Sequence, residues 1–97
     1  MAIFPPGAER RQFGRRQTRM HALIIARGRP SIPCVVRDIS VGGALLEVAH
    51  VSWLPSRFRL VIEPIRFEAN CEIVRRTEDA AGVRFTEPVA IKALGLE

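Results

Sequence analysis

Phe58-Arg59-Leu60-Val61-Ile62-Glu63, followed shortly by Phe67-Glu68-Ala69-Asn70-Cys71-Glu72-Ile73, decides the fold class. In the first stretch Phe58, Leu60 and Ile62 alternate with Arg59 and Glu63. In the second Phe67, Ala69, Cys71 and Ile73 alternate with Glu68, Asn70 and Glu72. That period of two belongs to an extended chain with one face on a core and the other in water. Both stretches predict strands.

Reading outward, Arg76 to Ala81 is a polar hairpin turn, and Gly82, Val83 and Phe85 make a short final strand. On the N-terminal side, His50 to Ser56 is a loop around Trp53, ended by Pro55. Trp53 reads as a buried loop anchor, with a lid or a partner contact as the alternative. Before it come a strand from Ala44 to Val48, a tight Gly42-Gly43 turn, and a strand from Ile32 to Ser40 rich in β-branched residues. Met20 to Ala26 is an apolar strand closed by Arg27-Gly28-Arg29-Pro30. Six short strands separated by glycine and proline turns predict an all-β, six-stranded antiparallel β-barrel, whose closure removes exposed strand edges. The flanks differ. Residues 1–19, interrupted by Pro5, Pro6, Gly7 and Gly14, read as a flexible arginine-rich arm. Residues 20–87 form the barrel domain. Residues 88–97 read as a short C-terminal helix or tail, with a helix from Val89 to Leu96 and Pro88 suited to its first turn.

The 97 residues suffice for one domain with a modest core, and 47% apolar with 26% charged residues is ordinary for a globular protein. The net charge of +5 is unevenly placed. Residues 1–37 hold eight arginines against one acid, a net of +7, and the remainder holds seven basic residues against nine acids, a net of −2. Fourteen of the fifteen basic residues are arginine, whose planar fork binds phosphate or a guanine edge bidentately. Cys34 and Cys71 stand far apart with no CxxC pair, which disfavours zinc. They read as reduced packing residues of a cytoplasmic protein, with a single disulfide as the alternative. No stretch resembles a signal peptide or a membrane span, so no membrane insertion is expected.

Two constellations carry chemistry. Arg10, Arg11, Arg15, Arg16 and Arg19 crowd the N-terminal arm, with Arg11 and Arg15 in an RxxxR spacing. Such a cluster can grip phosphates through charge-assisted bonds, or it can be a solvated basic tail, or it can bind a nucleic-acid backbone. The second is Asp38-Ile39-Ser40-Val41-Gly42-Gly43, a DxSxxG spacing at a strand end. Asp38 can accept from a guanine N1–H and exocyclic amine, Ser40 can contact a ligand or fix the turn, and Gly43 permits close approach. Equally, Asp38 and Ser40 can serve only a local turn.

Catalytic arrangements are missing. Ser40, His21 and Asp38 supply the residue types of a triad, yet Ser40 follows Asp-Ile rather than the Gly-x of a nucleophile elbow. The Gly42-Gly43 pair is not followed by a helix, which excludes phosphate-loop and dinucleotide fingerprints. The phenylalanines are too scattered for a single-strand nucleic-acid platform, and Phe58, Phe67 and Phe85 fit core positions. Nucleic acid is disfavoured as the partner.

Taken together, Arg11-Gln-Phe-Gly-Arg15 preceded by Arg10, then Asp38-Ile-Ser40-Val-Gly-Gly43, resemble the PilZ domain family of bacterial cyclic di-GMP receptors. The Gly82-Val-Arg-Phe85 run is similar to that family's last barrel strand. The resemblance implies a six-stranded barrel that binds cyclic di-GMP, a second messenger, without enzymatic activity or a cofactor. It implies that Arg10, Arg11 and Arg15 grip phosphates and guanine edges while Asp38, Ser40 and Gly43 contact a guanine. A downstream protein partner would read the result. A PilZ-like interaction module without nucleotide binding and a small nucleic-acid-binding barrel are the competing readings.

Overall fold

Six antiparallel strands close on themselves: β1 (Arg15–Ile25), β2 (Ile32–Ser40), β3 (Gly43–Glu47), β4 (Arg57–Ile62), β5 (Phe67–Arg76) and β6 (Ala80–Phe85). Around the barrel the order is β1-β2-β3-β6-β5-β4, with β1 pairing β4 to complete the circle. The structure is a computed structural model that describes the backbone of residues 15–94 and the side chains of residues 17–90, 93 and 94. The greater part of the expected arm lies outside that range.

The alternation in β4 and β5 does what its period requires. Phe58, Leu60, Ile62, Phe67, Ala69 and Cys71 point inward and are buried, while Glu68 and Asn70 face solvent. The two strands form a hairpin in register Ile62↔Phe67 through a 3-10 turn at Glu63–Ile65, where Arg66 adopts a left-handed φ of 53°. The core is all apolar among the described residues, and Ile24, Val36, Leu46, Leu60 and Ile62 are essentially inaccessible. A six-stranded barrel is narrow enough for side chains to fill it. None of the described helices is long and apolar enough to cross a membrane.

Three ladders carry bulges, and they matter for what faces outward. In β2, Cys34 and Val36 point inward, and strict alternation would send Asp38 in next. Instead the register shifts between Val36 and Asp38, so Ile39 takes the core position at 2% exposure and Asp38 turns outward. A bulge inserts one residue and re-aims the side chains beyond it. β1 shifts between Gln17 and Met20, and β5 between Ile73 and Arg75.

Several expectations need correction. β1 begins at Arg15 rather than Met20, so Arg15 to Arg19 belong to a strand paired with β2. The turn between β5 and β6 is confined to Thr77–Asp79, closed by the Thr77 N–H donating to the Ala80 carbonyl at 2.9 Å. In place of a helix from Val89 to Leu96, the described residues show a 3-10 turn at Ile91–Leu94, whose Leu94 is buried and which packs on β2. Four residues of a 3-10 turn suffice to seat one leucine in the core. Trp53 is 65% exposed rather than buried; Val51 and Leu54 anchor that loop instead. The Trp53 ring stacks on His50 with centroids 4.1 Å apart.

Cys34 and Cys71 are both free and buried. Burial away from water pushes each thiol up to about 12, because the thiolate would lose its hydration. Both thiols are therefore expected to resist 5,5′-dithiobis(2-nitrobenzoate) at pH 8 in the folded protein and to react after unfolding in guanidinium. Rapid labelling of either in the native state would contradict the packing.

Candidate functional site

The DxSxxG segment forms the end of β2 and the turn into β3. Ser40 Oγ accepts a hydrogen bond from the Gly42 N–H at 3.2 Å, which pins the turn from within. The Gly42 carbonyl accepts from the Phe85 N–H at 2.9 Å, tying the same turn to β6. At Gly43 the two strands approach so closely that a Cβ would collide with the Val83 carbonyl oxygen. Gly43 is thus a glycine of close approach, required by packing rather than by a special φ.

Asp38 is half-buried on the outer face, where it pairs with Gln17 of β1 on one side and Leu45 of β3 on the other. It takes part in the local interactions of the folded chain. An open groove of about 480 Å³ lies alongside, with Asp38, Ser40 and Gly42 at one end. Its floor includes Gly43, Leu45 and Gly82, and its far wall is Val74 with Arg75. That volume falls within the range of small-molecule sites, roughly 300–1,000 Å³.

Of the six residues expected to bind ligand, the structure brings Asp38, Ser40 and Gly43 to this groove. The backbone of Arg15 pairs with Ser40, which sets the second arginine of the RxxxR spacing beside the serine of the DxSxxG spacing. Arg10 and Arg11 lie outside the described residues. Val74, Arg75 and Gly82 were not singled out as site residues. The only signal for Gly82 was its place in Gly82-Val-Arg-Phe85, and nothing in the alternation of β5 announced its bulge.

A second groove lies on β4, β5 and β6 among Arg27, Arg57, Arg59 and Arg84. Its cations are largely neutralised within the sheet. Arg84 Nη2 donates to Glu72 Oε1 at 2.6 Å, Arg57 lies 3.6 Å from Glu72, and Arg59 Nε donates to Glu68 at 2.9 Å. The Arg84 guanidinium holds the Glu72 carboxyl below the ordinary glutamate range. A depressed carboxyl contributes stability above its unfolded value and loses it as pH falls through the lower folded value. The Glu72 contribution is therefore expected to be complete above the ordinary glutamate range, to decline as pH falls below it, and to be gone only in stronger acid, which urea denaturation across that pH range measures. Among the described residues no group of His, Cys, Asp and Glu is placed to hold a metal ion.

The chain is similar to the PlzA protein of Borreliella burgdorferi, crystallised in complex with c-di-GMP, with 21% identity and a TM-score of 0.60. That match covers 80% of this chain but only 31% of the PlzA chain, so this chain spans about a third of it. An uncharacterized Legionella protein matches at 18% identity and a TM-score of 0.57, covering 84% of this chain and 86% of its own. The PilZ domain of CeSA from a cellulose-synthesizing bacterium matches at 16% identity and a TM-score of 0.60, covering 84% and 89%. No curated protein matches the chain. At these identities the solved structures speak for the barrel alone. The family model for the PilZ domain matches residues 9–94, from the arginine cluster to the C-terminal turn, and the chain belongs to the PilZ domain family.

Proposed function

We propose that this chain is a non-enzymatic receptor for cyclic di-GMP that acts in the cytoplasm and needs no cofactor. The observation that carries the reading is the meeting of Asp38, Ser40 and the Gly42-Gly43 turn at one end of an open groove, with the Arg15 backbone alongside Ser40. The outward-facing Asp38 carboxylate accepts from the N1–H and exocyclic amine of one guanine. Ser40 holds the turn and Gly43 lets the backbone of β3 lie close. Arg15, with Arg10 and Arg11 brought onto the groove by ligand, bonds the phosphates and guanine edges. Membership of the PilZ family supports this reading, and so does the structural likeness to PlzA, which was crystallised with c-di-GMP.

Ordering a peptide segment costs roughly 1–2 kcal/mol per residue, so several arginines must act together for closure to be favourable. Charge-assisted hydrogen bonds of roughly 1.5–3 kcal/mol each supply that. The signal is then the change from a strongly cationic surface to a partly neutralised one, read by a downstream protein. The exposed Trp53, stacked on His50 over a separate small groove, favours a second reading in which the barrel serves as a protein-interaction module.

Isothermal titration of cyclic di-GMP into the protein and into its Arg15→Ala and Asp38→Ala variants, with GTP as control, separates the two. The expected result is binding by the unmodified chain and roughly ten- to a hundredfold weaker binding by each variant. No heat and no chemical-shift change at high ligand concentration would overturn the receptor reading and leave the interaction module standing. Binding that collapses steeply with salt and ignores the identity of the base would point to nucleic acid instead.

A further inference from the structure

The bulge in β5 has the same effect on its strand as the bulge in β2 has on Asp38. Ile73 pairs with the buried Val83 and points inward, so strict alternation would send Val74 out and Arg75 in. The shift between Ile73 and Arg75 makes Val74 the extra residue and sets Arg75 opposite Gly82. Gly82 in turn pairs with Leu45, and Leu45 with Asp38. One row therefore crosses four strands, Asp38–Leu45–Gly82–Arg75, with Asp38 and Arg75 at its ends. At a strand spacing of about 4.8 Å, three steps separate their backbones by about 14 Å along the curved sheet.

Between those ends the row is low. Gly82 has no side chain, and a Cβ there would rest 3.7 Å from the Arg75 Cβ, ordinary contact, so the space is open rather than forbidden. Val74 is 62% exposed, an apolar side chain that the fold has no use for in its core. The Arg75 side chain is exposed and makes no ion pair or hydrogen bond with any described residue. The other arginines of β4 to β6 that face Glu68 and Glu72 are paired within the sheet. Both Val74 and Arg75 line the groove that begins at Asp38.

We propose that the β5 bulge is the second wall of the ligand site. Val74 supplies an apolar contact to the purine lying farther from Asp38, and Arg75 donates from its planar fork to the O6 and N7 acceptors of that base. This inference rests on the cyclic di-GMP reading above and extends it from one end of the groove to the other. An adenine offers N7 but carries a donor in place of O6, so Arg75 also selects guanine. The two ends then read the ligand independently, Asp38 through the donors of a guanine and Arg75 through its acceptors.

The test is titration of cyclic di-GMP and of cyclic di-AMP into the full chain and into Asp38→Ala, Arg75→Ala, Arg75→Lys and Gly82→Leu, with thermal melting to confirm folding. Arg75→Ala is expected to weaken cyclic di-GMP binding roughly ten- to a hundredfold and to narrow the preference over cyclic di-AMP. Arg75→Lys keeps the charge but not the fork, and should recover no more than a fewfold of that loss. Gly82→Leu fills the trough against Arg75 while keeping both end residues in the chain, and a folded Gly82→Leu protein should bind at least as poorly as Arg75→Ala. If Asp38→Ala loses affinity while Arg75→Ala and Gly82→Leu bind like the unmodified chain, the receptor reading stands and the second wall falls. If the unmodified chain binds neither nucleotide, both fall together.

Discussion

Gly43→Ala is expected to destabilise the barrel by about 3 kcal/mol or more, at the upper end of what overpacking costs, while Gly42→Ala next to it stays within about 1 kcal/mol of the parent. The two glycines look equivalent in sequence and differ entirely in surroundings. A Cβ on Gly43 meets the Val83 carbonyl oxygen and lies 3.1 Å from the Arg84 Cα. The obstacle is backbone, so no rotamer can relieve it, and β3 must move away from β6 along a ladder that runs from Gly43↔Arg84 to Glu47↔Ala80. A Cβ on Gly42 meets only Ser40 Oγ at 3.8 Å, an ordinary contact, and no left-handed φ constrains it. Urea denaturation followed by far-ultraviolet circular dichroism measures both. Equal losses at the two positions would mean that close approach is not what Gly43 provides. The same result bears on ligand studies, since a weak-binding Gly43 variant reports on the barrel before it reports on the ligand.

Leu46→Ala should cost about 3–5 kcal/mol, from the lost transfer free energy and the cavity left behind. Leu46 pairs with Val36 of the neighbouring β2 on one side and Ala81 of β6 on the other, and all three are 0% exposed. Ala81 is too small to fill the space, and Val36 is held at χ1 by its branched Cβ. A domain of this size has about 5–15 kcal/mol of stability in all, so this one truncation removes a large share. Leu45→Ala, one residue away on the outer face, is the matched control and should cost far less. If the two variants melt together, the inward and outward faces of β3 have been misassigned.

Much of the barrel was legible because its strands report their own geometry. The alternation in Phe58 to Ile62 and Phe67 to Ile73 survives unchanged in β4 and β5, and the β-branched run from Ile32 to Ser40 is β2 from end to end. The glycine of Arg27-Gly28-Arg29-Pro30 does adopt a positive φ of 75° to turn the chain, as a residue without Cβ can. Local signals failed where a partner strand decided the outcome. Nothing in Arg15 to Arg19 resembles a strand; those residues are extended because β2 offers them a ladder. Trp53, the largest side chain present, was expected as the buried anchor of its loop, but Val51 and Leu54 already occupy the inward positions there.

The candidate site divides along the same line. Residue types and spacing in the sequence alone determined the family: the arginine cluster ending at Arg15, the Asp38-to-Gly43 segment and a β-rich remainder are local patterns, readable before any fold exists. Which side chains face the groove was decided only by tertiary structure. Strict alternation would bury Asp38 and Arg75, and it is the register shifts in β2 and β5 that turn both outward onto one row. A bulge is a relation between two strands, fixed by which neighbour each backbone amide finds, and no stretch of one strand read by itself contains it.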